Sequence, residues 1–112
     1  MAKSDLTLDD VYALVQLQYN ALNRAFEETS DPDEMGRILV EMKEFTHRLD
    51  LLQRQRMDGL SADLSRLTND LKDANTQLAK ALKSLSDIND VLKTCSAFLD
   101  VIDQIIDLVK LV

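Results

Sequence analysis

The sequence predicts an all-α protein in which two medium helices are followed by one long C-terminal helix, packed as an antiparallel helical bundle or coiled coil. Three observations predict it. The 112 residues include only two glycines and one proline, too few for a turn-rich sheet. Apolar residues recur at three- and four-residue steps along most of the chain. Capping residues stand just ahead of the stretches that carry this period. A chain of this length is expected to form a single domain over residues 1–112.

The first helix is expected over about residues 8–29. Thr7 can cap its free amides, with Asp10 as the acidic partner of a capping box. Leu8, Tyr12, Val15, Tyr19, Leu22 and Phe26 then form one stripe, and Leu14, Leu17 and Ala21 form a second apolar line that implies cover from more than one side. Tyr12 and Tyr19 are expected as core or rim aromatics. Next comes the strongest punctuation in the chain, Ser30-Asp31-Pro32-Asp33-Glu34: Asp31 can cap, Pro32 suits the first helical position and Glu34 completes the motif. It starts a second helix, over about 32–57, whose stripe is Met35, Ile38, Met42, Phe45, Leu49 and Leu52. So short a link places the two helices antiparallel. Gly59 then supplies a left-handed position that closes helices, and Ser61 a new cap.

The third segment carries the most regular pattern. Met57, Leu64, Leu71, Leu78, Leu85, Leu92, Leu99 and Ile106 share one heptad position; Leu60, Leu67, Ala74, Ala81, Ile88, Cys95, Ile102 and Val109 share the other. The favoured expectation is one helix over 61–111, about 75 Å long at 1.5 Å per residue. The alternative is a four-helix up-down bundle with a break near 84–87, where Ser86 could cap a fourth helix. On the flank of the heptad stripe, Asp63, Asp70, Gln77 and Ser84 give way to Val91, Phe98, Ile105 and Val112, so the apolar face widens after residue 85. With a continuous helix the last turns lack partners. An oligomer or partner interface is therefore expected at Val91, Leu92, Phe98, Leu99, Val101, Ile102, Ile105, Ile106, Leu108 and Val109.

Charge narrows the function. A net charge of −7 repels nucleic-acid phosphates and anionic headgroups, so nucleic-acid binding is not expected. A single cysteine, Cys95, forms no intramolecular disulfide and fits a reducing cytoplasm; it occupies a core heptad position, where it acts as a small apolar side chain. No catalytic motif is present, and the sharpest lead, Glu44-x-x-His47, has metal-ligand spacing but lies off the apolar stripe, so neither metal nor cofactor is expected. His47, Arg48, Arg54 and Arg56 gather cations near a helix C-terminus.

The expected function is that of a non-enzymatic helical protein that binds itself, as a homodimer or higher oligomer, and another protein. A scaffold, adaptor, secretion accessory or antitoxin-like inhibitor would fit. The alternative is a membrane-active protein that inserts its C-terminal apolar face. Against that alternative, the polar side of the last helix has more aspartate than lysine.

Overall fold

The helices that begin at Leu8, Pro32 and Ile88 each start where a side chain accepts from a free backbone amide. The computed structural model describes residues 6–84 and 87–110. Helix α1 spans Leu8–Glu28, α2 Pro32–Met57, α3 Thr68–Ser84 and α4 Ile88–Lys110, with a 3-10 turn at Ser65–Leu67 ahead of α3. Thr7 Oγ1 accepts from the Asp10 amide at 3.2 Å while Asp10 Oδ2 accepts from the Thr7 amide at 3.1 Å, the reciprocal capping box expected there. Asp31 accepts from the Asp33 amide at 2.9 Å, with Pro32 leading α2. Glu34 takes the Thr29 hydroxyl instead of closing a box. Asp87 accepts from the Asn89 amide and caps α4 in the same way, while Asp63 accepts from the Ser65 amide just ahead of the 3-10 turn.

Helix α2 closes on Gly59. Its φ of 72° is the left-handed conformation, and it lets the Gly59 amide reach the Arg56 carbonyl at 3.1 Å and the Leu60 amide the Gln55 carbonyl at 3.0 Å. This paired bonding satisfies two carbonyls at the helix end. The chain then takes residues 58–67 to reach the next helix.

The four main interhelical seams join α1 to α2, α3 to α4, α2 to α4 and α1 to α3. Two antiparallel hairpins thus lie side by side. The sequence order up, down, up, down makes α1 parallel to α3 and α2 parallel to α4. Arg48 and Gln55 of α2 accordingly meet Asp103 and Ile106 of α4 in the same order. One continuous cluster of buried side chains fills the space between the hairpins, with Phe45 and Phe98 stacked at its centre, rings 5.6 Å apart and 7° from parallel.

The expected single helix over 61–111 is corrected: it is two helices, in line with the alternative break near 84–87. Leu85 and Ser86, the cap named for that break, lie outside the described residues, as do Leu111 and Val112. The physical reason is phase. In α3 the deepest side chains are Leu71 and Leu78, on the first heptad line; in α4 they are Val91, Phe98 and Ile105, one residue ahead of that line, together with Cys95, Ile102 and Val109 on the second. The buried face is therefore rotated between the two segments, and one straight helix would not hold both against a shared core. The longest principal extent of the molecule, 43 Å, is likewise far short of a 75 Å rod. Helix α3 also starts later than expected. Ser61 caps nothing; residues 61–64 cross to the second hairpin, and Leu64 is buried ahead of the helix rather than within it.

Candidate functional site

The residues expected to form an oligomer interface are core residues of one chain. Val91, Phe98, Leu99, Val101, Ile102, Ile105, Ile106 and Val109 are buried, and Leu92 and Leu108 are half-buried. The break after α3 folds α4 back between α2 and α3. Cover that a continuous helix would need from a second copy therefore comes from the chain itself. Cys95 joins this core; burial, with Glu41 nearby, pushes its thiol far above the ordinary value and keeps it protonated and unreactive.

The cations grouped near the end of α2 are individually paired. Arg48 bonds both Asp103 oxygens, at 2.9 and 3.0 Å, and also reaches Glu44. These hydrogen bonds to Asp103 and Glu44 raise the Arg48 pKa further despite partial burial. Arg54 meets Asp50 at 3.1 Å. Arg56 bonds Asp9 at 2.6 Å and lies 4.7 Å over the Tyr12 ring, tying the end of α2 to the start of α1. Glu44 and His47 are both exposed, and Glu44 is turned to Arg48.

A different surface stands open. Helices α1 and α3 are joined by one part-buried polar pair, Gln18 Nε2 to Asn75 Oδ1 at 2.8 Å. Beside that pair runs a trough of about 410 Å³, floored by Leu17, Ala21, Ala79 and Leu82 and flanked by Arg24 and Lys83. Leu17 is 53% exposed at its edge. The second apolar line on α1 was the signal for this surface: α3 half-covers Leu14 and Ala21 and leaves Leu17 uncovered. What the sequence lacked was the identity of the neighbour, because α3 lines this trough with Ala79 and Leu82, which lie on neither heptad line. A second trough, of about 490 Å³, lies between α3 and α4 over Ala74, Ala81 and Ala97, with Lys80 and Lys93 on its sides.

No described helix is long and apolar enough to cross a membrane. Comparison with known proteins returns no match, whether to a family model, a curated protein or a solved structure.

Proposed function

We propose that this is a non-enzymatic, cytoplasmic helical interaction protein that takes an amphipathic helix of a partner protein into the trough between α1 and α3. The observation that carries the reading is Leu17, a large apolar side chain left 53% exposed beside alanines in a groove wide enough to seat further side chains. Two parallel helices separated by small residues form the kind of groove into which a third helix lays an apolar ridge. With Leu17 53% exposed, covering the remainder contributes roughly half of the 1.5–3 kcal/mol of a fully buried leucine. Self-association through α4 is not part of this reading, because those residues are the core of one chain.

The test uses a synthetic 18-residue helical peptide with a leucine ridge and glutamine flanks, titrated into isotope-labelled protein. Amide shifts should collect on Leu17, Ala21, Ala79 and Leu82, and Leu17→Ser should abolish them while leaving the rest of the spectrum unchanged. Shifts confined to other seams, or none at all, would sink the proposal.

A further inference from the structure

We infer that the partner helix is acidic on its flanks, although the protein itself carries a net charge of −7. The inference rests on the proposed trough and adds the chemistry of its occupant. Cations are not distributed evenly in their pairing. In α2, Arg37, Arg48, Arg54 and Arg56 each lie within 4.0 Å of a carboxylate of a described residue, and of that helix's lysines and arginines only the exposed Lys43 does not. Around α3 the pattern reverses. Arg24 and Lys83 flank the α1/α3 trough, Lys80 and Lys93 flank the neighbouring one, and none of the four is paired with a carboxylate of a described residue. All four side chains are exposed.

The carboxylates that line the two troughs are Glu28 and Asp90, which leaves the cations in surplus by two. Arg24 and Lys83 rise from opposite walls, so a helix seated over Leu17 would pass between them with one cation on each flank. Carboxylates there would meet Arg24 and Lys83 directly, and Lys80 and Lys93 would extend the attracting field beyond the contact. A lysine-flanked helix would meet one carboxylate in the trough, Glu28, against the two cations Arg24 and Lys83. Since screening cuts charge effects beyond about 8–10 Å at moderate salt, the local cations outweigh the net charge.

Three versions of the same leucine-ridged 18-residue peptide, flanked by glutamate, glutamine or lysine, separate the possibilities by fluorescence anisotropy at low and moderate salt, with amide shifts locating each one. The glutamate peptide should bind about tenfold more tightly than the lysine peptide, a difference of about 1.4 kcal/mol. That preference should shrink as salt rises. Arg24→Glu with Lys83→Glu, both at exposed positions, should reverse the order without changing the fold. A lysine peptide that binds the trough equally well or better overturns the acidic-partner inference and leaves the trough standing. If no peptide shifts Leu17, Ala21 or Ala79, the trough and the inference fail together.

Discussion

The two parallel seams of the bundle solve the same packing problem in opposite ways. Between α2 and α4, Phe45 stacks on Phe98, Arg48 bonds Asp103 across the rim, and Gln55 Nε2 donates to the Ile106 carbonyl at 3.0 Å. Gln55 Oε1 is buried there and accepts no hydrogen bond from a described residue. Between α1 and α3, one amide pair and several alanines leave a trough open to solvent. Helix direction is the same in both, but an aromatic stack fills the first seam, whereas Ala21, Ala25 and Ala79 line the trough of the second beside Leu17 and Leu82. The closed seam supplies stability, and the open one supplies surface.

Truncation should separate the seams most sharply. Phe98→Ala removes a fully buried ring and leaves Phe45 without its stacking partner, and should cost about 3–5 kcal/mol in urea denaturation. Leu17→Ser in the open seam should stay within about 0.5 kcal/mol of the parent. Comparable losses at the two sites would erase the contrast. Next in size is the polar pair. Asn75→Ala leaves the amide of Gln18, itself only 3% exposed, without a partner and should cost about 1–3 kcal/mol. Adding Gln18→Leu should recover most of that loss, since no buried donor remains. A double variant as weak as Asn75→Ala would mean that shape, not hydrogen bonding, holds α1 to α3.

A smaller effect tests the rim of the closed seam. Arg48 keeps 15% of its side-chain exposure and Asp103 keeps 45%, so their pair sits between a surface and a buried bridge. A double-mutant cycle with Arg48→Ala and Asp103→Ala should give a coupling of about 1 kcal/mol that falls with added salt. No coupling would make the ion pair an ornament on a seam held by the aromatic stack alone.

Much of this contrast was legible before any coordinates. Thr7, Asp31 and Gly59 marked helix ends because capping chemistry is local: each depends on bonds reaching only a few residues away. The stripe of α2 was legible too, since Ile38, Phe45 and Leu52 are its deepest residues. The hidden part was which of several apolar lines faces the core. Helix α1 buries Val11, Gln18 and Ala25 more deeply than Tyr12, Tyr19 and Phe26, because α3 covers its other side. Helix α4 centres on Phe98 rather than Leu99 because it is wedged between two neighbours. A heptad repeat reports one seam, and α4 has two. The same ambiguity governed where uncovered apolar surface was expected: on α4, whose large apolar residues are buried or half-buried, whereas Leu17 of α1 and Leu39 of α2 are exposed.

The smallest expected effect also concerns the closed seam, and its sign is diagnostic. Glu41 is half-buried on α2 with Glu44 and Arg48 on its own helix and Cys95 across from it on α4. Burial, and then repulsion from Glu44, raise its carboxyl above the ordinary value of 4.5, while Arg48 pulls it partly back. A carboxyl raised in this way favours the folded state while it is protonated, and that contribution is lost as pH rises through the folded pKa. At neutral pH the ionised Glu41 is therefore a small liability. Glu41→Gln should raise Tm at pH 7, and the gain should vanish at pH values below the carboxylate range, where the native side chain is already neutral. A variant less stable than the parent at pH 7 would mean that attraction to Arg48 exceeds the cost of burial, and that water reaches this stretch of the α2/α4 seam more freely than its packing implies.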